Sequence, residues 1–243
     1  MRVSVARCST QGNLPDRRRP RRHHGNSIAI VETVGFDGFS EAALDFYDDL
    51  EIDNSKSFWQ AHRDVYETAI KQPMQALTAE LADEFGDAKI FRPYRDVRFS
   101  KDKTPYKTHQ GAFVAVAPAT GFYVQIGAPG VRTGFGFYEA SSARLASFRE
   151  AIVHDRHGPE LERIVAHARA SGFDIGGDRL KTSPRGFDAD HPRIELLRHR
   201  SLVVGRDHGF AAYIHTAELL DHVRADWRAG RPLIDWVLAH VKG

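Results

Sequence analysis

One apolar stripe constrains this chain more than any other feature: Trp59, Tyr66, Ile70, Met74, Leu77, Leu81 and Phe85, with gaps of seven, four, four, three, four and four. Those gaps are the repeat of one helix face, so the stripe predicts a long helix with one buried side. Asn54 stands where its N-cap would be, and Ser40 does the same for an earlier helix through Leu44, Tyr47 and Leu50. Pro73 falls inside the stripe and predicts a kink or two abutting helices. His62 and Arg63 lie on its flank, within reach of a neighbouring site.

A helix with a buried face needs a partner, and the next segments read as strands. Residues 111–117 are apolar on both faces, as in a buried central strand. Residues 122–126 and 132–138 follow; in the second, Gly134 and Gly136 share a face that a ligand or another backbone could approach closely. Ser141 or Ser142 caps a helix through Leu145, Phe148 and Ile152, and Pro159 opens another with Leu161, Ile164, Val165 and Ala168. A short helix with Leu196 and Leu197, a strand at 200–205 and two C-terminal helices (about 216–228 and 232–241) complete the chain. The class is α+β, a hairpin-connected, mostly antiparallel sheet flanked by helices, as a single domain over residues 36–243.

Charge narrows the function. The whole chain carries +2, of which residues 1–30 hold seven arginines against Asp16, a net of +6. Removing that +6 leaves −4 for the rest. Residues 89–109 hold seven cations (Lys89, Arg92, Arg95, Arg98, Lys101, Lys103, Lys107) against Asp96 and Asp102, a net of +5, so what remains is near −9. An acidic body with one confined basic segment disfavours nucleic-acid binding over a broad face and suits a focused anion pocket. Residues 1–35 read as a disordered basic tail or a start assigned too far upstream. The single cysteine, Cys8, suits a reducing, cytoplasmic setting. No apolar run approaches the roughly 18 residues of a membrane-spanning helix, so no membrane partner is expected.

Within the basic segment, strand alternation puts Arg92, Tyr94, Asp96 and Arg98 on one face and Phe91, Pro93, Arg95, Val97 and Phe99 on the other. Arg95 then sits in an apolar register, where a charge persists only if paired, so it is expected to be a structural ion-pair member. Arg92 and Arg98, with Lys101, Lys103, Lys107 and Tyr106, are the expected contacts of a small phosphate or carboxylate ligand, because guanidinium forks match such groups. Asp96 would orient the arginines, or act as a base if its pKa were raised. The alternative is a nucleic-acid module using the same cations with Tyr94 and Tyr106 as stacking platforms.

Other chemistry finds less support. Asp188, Asp190 and His191 cluster in a Pro/Gly-shaped loop, and His191 becomes a candidate general acid or base if that loop folds over the basic segment. His154 and His157 are three apart, but no metal-ligand signature occurs and no metal is expected. There is no nucleophile elbow, Walker loop or dinucleotide fingerprint. Nothing here specifies a cofactor, a reaction or an oligomeric state.

Phe58-Trp59, His62-Arg63 and Tyr66, followed by Arg92-Pro-Tyr-Arg-Asp-Val-Arg-Phe-Ser-Lys-Asp-Lys-Thr-Pro-Tyr-Lys-Thr108, resemble the DUF2461 family. Pro184-Arg-Gly-Phe187 and His191-Pro192 look like that family's second characteristic block. The resemblance spans roughly residues 36–241. It implies one α+β domain with its site at the basic segment, and brings no activity, cofactor or catalytic residue with it.

Overall fold

The computed structural model describes residues 35–138 and 140–242. The basic tail, and Cys8 with it, lies outside the described residues. Helix α1 (Glu41–Ile52) starts after Ser40, whose hydroxyl makes no cap bond. The long helix expected from the stripe is divided into α2 (Lys56–Ala61), α3 (Arg63–Val65), a π-helix (Tyr66–Lys71) and α4 (Gln72–Phe85). Ser55, not Asn54, caps α2, accepting from the Phe58 N–H at 3.1 Å.

Pro73 accounts for the π segment. It has no N–H, and its ring crowds the carbonyl four residues back, which disfavours a regular α turn. The Gln72 N–H instead reaches the Glu67 carbonyl, five residues earlier. Pro73 thereby falls in the first turn of α4, where a missing donor costs little. Every residue of the stripe is nonetheless buried.

The sheet is antiparallel, in the order β1-β2-β3-β4-β6-β5. Its strands are β1 (Ala88–Ile90), β2 (His109–Ala117), β3 (Thr120–Gly127), β4 (Gly130–Phe137), β5 (Asp174–Gly176) and β6 (Leu202–Gly209). Helices α5 (Ser142–Val153) and α6 (His157–Ala170) lead from β4 to β5, and short α7 (Ile194–Leu197) precedes β6. Helix α8 (Glu218–His240) closes the chain as one helix, not the two expected. Pro232 lies inside it and removes one backbone bond. That loss, about 3 kcal/mol, is outweighed by burial of Val223 and Trp227 before it and Leu233, Ile234 and Val237 after it.

Helices α4, α5 and α8 cover the sheet face that carries Phe122, Phe135 and Phe137. Phe85 meets Phe122 edge-on at 5.1 Å, Trp227 stacks on Phe122 at 5.5 Å, and Phe148 stacks on Phe137 at 4.6 Å. Gly230 lets the α8 backbone rest on the Phe135 ring, since a Cβ there would lie 2.4 Å from it. The close approach expected at Gly134 and Gly136 is made within the fold. A Cβ on Gly136 would meet the Leu202 carbonyl at 2.3 Å, and one on Gly134 the Tyr138 hydroxyl at 3.3 Å.

The expected strand over residues 89–99 is not formed beyond Ile90. Residues 91–108 make an excursion pinned by one bridge, Tyr94 to Tyr106, with Arg95 N–H on the Pro105 carbonyl (2.9 Å) and Lys107 N–H on the Pro93 carbonyl (2.8 Å). Pro93 and Pro105 accept but cannot donate, so the ladder stops there. Exposure still alternates: Phe91, Pro93, Arg95 and Val97 are more covered than Arg92, Tyr94, Asp96 and Arg98.

Candidate functional site

Where this excursion leaves β1 it faces the π-helix, and the two enclose a cleft of about 410 Å³. That lies within the range of roughly 300–1,000 Å³ common for small-molecule sites. One wall is the row Arg63, Glu67, Lys71 and Gln75; the other is Ile90, Phe91, Arg92, Pro93 and Tyr94; Trp59 and Tyr66 lie between. In a regular α-helix each four-residue step overshoots a full turn by about 40°, so residues 63 and 75 would diverge by roughly 120°. The wide π turn takes up one extra residue and keeps all four side chains on the cleft.

Buried contacts fix both walls. Tyr106 stacks on Trp59 at 4.2 Å with planes 6° apart, and both rings are 5% exposed. Tyr66 donates to Gln110 Oε1 at 2.7 Å, and Gln110 Nε2 donates to the Phe91 carbonyl at 2.8 Å. This chain links the π-helix, β2 and the residue next to Arg92. Burial pushes the Tyr66 hydroxyl far above its ordinary pKa, so it stays a neutral donor.

The cations are unequally engaged. Lys71 pairs with Glu67 at 2.7 Å. Arg63 and Arg92 have no ion-pair partner among the described residues. Lys107 lies over the Phe91 ring at 5.2 Å, and burial together with the nearby Arg92 charge lowers its pKa. Arg92 and Lys107 therefore repel each other, and the Arg92 charge also reaches the Asp96 carboxylate and helps to hold its pKa down.

The remaining expected residues separate from this cleft. Arg95 pairs with Asp102 and bonds Thr104. Asp102 is held at about 2, first by the Thr104 N–H and then by Arg95. Asp96 receives the Arg98 guanidinium at 2.9 and 2.7 Å, and Arg98 is 76% exposed on its side chain. That contact holds the Asp96 carboxyl below its usual range, which removes the reason to regard it as a base. Lys103 bonds the Val97 carbonyl at 2.9 Å, and neither it, Arg98 nor Lys101 lines the cleft. Tyr106 underlies Trp59, so its face is not available to a ligand.

His191 is not brought to the basic segment. Its Nδ1 accepts from the Arg193 N–H at 3.0 Å, and Arg193 is tied to Glu162 of α6 at 3.0 Å. The same region joins the β5 edge through Leu180 N–H on the Arg198 carbonyl at 2.8 Å. Four strands intervene between β5 and β1. His154 and His157 stack on each other at 3.8 Å, and His157 on His240 at 3.8 Å, as a ring column rather than a ligand set.

Sequence reasoning missed Glu67, Lys71, Gln75 and Gln110. The available signal was the polar spacing of four from Arg63 to Gln75 beside a stripe containing Pro73. It also missed Asp226, 2% exposed within α8. That carboxylate accepts from Thr133 Oγ1 at 2.6 Å and Arg206 at 2.7 Å, and lies 3.1 Å from His208 Nε2. A smaller cavity of about 200 Å³ beside α6 and α8 is lined mostly by Phe135, Ile164, Val165, Val204 and Leu233 and lacks a comparable set of converging polar groups.

A family model described as conserved hypothetical protein (DUF2461) matches residues 42–236. No curated protein and no solved structure matches the chain.

Proposed function

The chain belongs to the DUF2461 family, and we propose that this member binds the phosphate or carboxylate of a small molecule in the cleft between the π-helix and the segment after β1. The observation that carries the reading is that Arg92 and Lys107 crowd each other with no ion-pair partner among the described residues, with Arg63 and Lys71 on the facing wall. Guanidinium groups without a carboxylate partner suit oxyanions, which they grip through two parallel bonds. Acid–base chemistry on a bound anion would fall to Glu67 and Lys71, the charged pair already in the cleft.

A thermal-shift series with inorganic phosphate, citrate and sugar phosphates tests the reading. Arg92→Gln should remove the stabilisation, and Arg98→Gln should leave it intact. Equal responses from the two variants would dismiss the cleft as the anion site.

A second reading, single-stranded nucleic-acid binding, is favoured by the exposed rings of Tyr94 (51%) and Phe99 (97%) beside Arg98, Lys101 and Lys103. It requires affinity for an oligonucleotide that falls steeply with salt, with a slope reporting several phosphate contacts.

A further inference from the structure

We infer that the cleft takes a phosphate monoester attached to a flat ring, a nucleoside monophosphate in its simplest form, with Tyr94 as the residue that selects the ring. The inference rests on the anion-cleft reading and adds two observations to it. The first is charge. The lining cations Arg63, Lys71 and Arg92, less the single charge of Glu67, leave +2 in the cleft. A phosphate monoester carries roughly −1.5 to −2 at neutral pH, whereas a carboxylate carries one charge.

The second is the nature of the apolar wall. Its lining includes four aromatic residues, Trp59, Tyr66, Phe91 and Tyr94, against two aliphatic ones, Ile90 and Pro93. Tyr94 is braced from one side by Trp59, at 6.1 Å and 49°, and by Tyr106, at 5.4 Å and 44°. It is nevertheless half exposed, beside two rings that are almost fully buried. A large ring held this firmly and left open at the mouth of a charged cleft suits stacking by another ring. The phosphate would lie among Arg63, Lys71 and Arg92, and the ring would cover Tyr94. Stacking of one base on one aromatic side chain is worth roughly five- to 150-fold in affinity.

Two matched probes separate the ring from the phosphate: adenosine 5′-monophosphate and ribose 5-phosphate, titrated calorimetrically into the full chain. The wild type should bind the nucleotide at least tenfold more tightly. Tyr94→Ala should erase that difference without changing ribose 5-phosphate binding, and Tyr94→Phe should restore it. Equal affinity for the two probes, or a preference that survives Tyr94→Ala, overturns the ring assignment and leaves the anion cleft standing. If neither probe binds, the cleft reading and this inference fall together. If an oligonucleotide binds where the mononucleotide does not, the inference falls in favour of the nucleic-acid reading.

Discussion

Asn54 grips the backbone of Tyr106 at both of its polar groups: Nδ2 donates to the Tyr106 carbonyl at 3.1 Å, and Oδ1 accepts from the Tyr106 N–H at 3.0 Å. Tyr94 and Tyr106 face each other without exchanging these groups, because the flanking bonds run through Arg95 and Lys107. In an antiparallel pair such a residue directs its N–H and C=O away from its partner. One asparagine side chain therefore stands in for a missing strand and joins the return leg of the basic excursion to the start of α2. Helix capping, the role its position suggests, falls to Ser55.

Asn54→Ala should therefore cost more than loss of a helix cap. Two part-buried backbone groups lose their partner, which predicts destabilisation of about 1–3 kcal/mol. The Trp59–Tyr106 stack loses its lateral restraint in the same step. Chemical denaturation followed by tryptophan fluorescence reads both effects. A loss below about 0.5 kcal/mol would show that water replaces the clamp.

Asp226→Asn addresses the buried carboxylate beneath the sheet. It removes the counter-charge of Arg206 and leaves one acceptor oxygen where two carboxylate oxygens serve Thr133 and Arg206, and breaking such a pair is costly. Arg206 keeps partial contact with solvent, at 34% side-chain exposure, so the expected loss is at the low end, about 3 kcal/mol. The anion-induced thermal shift should persist, because none of these residues lines the cleft. Equilibrium urea unfolding with and without phosphate checks both parts.

Stability should fall between pH 7 and 5. Burial holds His109 and His199 below the ordinary value of 6.5, with the Lys107 charge adding to the effect at His109. As pH drops through 6.5 the unfolded chain takes up these protons before the folded one, so stability is lost toward the folded pKa values. Each histidine contributes at most about 1.4 kcal/mol per pH unit. Asp96 and Asp102, held low by Arg98 and by Thr104 with Arg95, act only below about pH 4, outside this window. A double His109→Gln, His199→Gln variant should flatten the slope of urea midpoint against pH; an unchanged slope would place the titration elsewhere.

Much of the framework was legible because it rests on side-chain period. The stripe from Trp59 to Phe85 is buried throughout, and the runs at 111–117, 122–126 and 132–138 became β2, β3 and β4. The excursion was half legible: its exposure alternates, yet pairing depends on donors that Pro93 and Pro105 lack. The cleft was hidden because Glu67, Lys71 and Gln75 look like solvated helix positions until the π turn aligns them. Asp226 was hidden for a related reason, since its partners Thr133, Arg206 and His208 come from two distant strands.

Glu67 gives the sharpest test of how the cleft is charged. Its pair with Lys71 spans four residues, and both side chains are more than one-third exposed. Such pairs contribute about 0.3–0.5 kcal/mol, so Glu67→Gln should barely change stability. Binding should change more, because the substitution frees Lys71 and raises the cleft from +2 to +3. One unit charge several ångströms away in a largely hydrated cleft is worth about 1 kcal/mol, which predicts three- to tenfold tighter phosphate binding. The gain should shrink with added salt as screening shortens the reach of that charge. Calorimetric titration of phosphate at two ionic strengths decides the matter. Weaker binding in Glu67→Gln would mean that the carboxylate aims Lys71 at the ligand, and that the row on the π-helix works as a preset pair and not as a sum of charges.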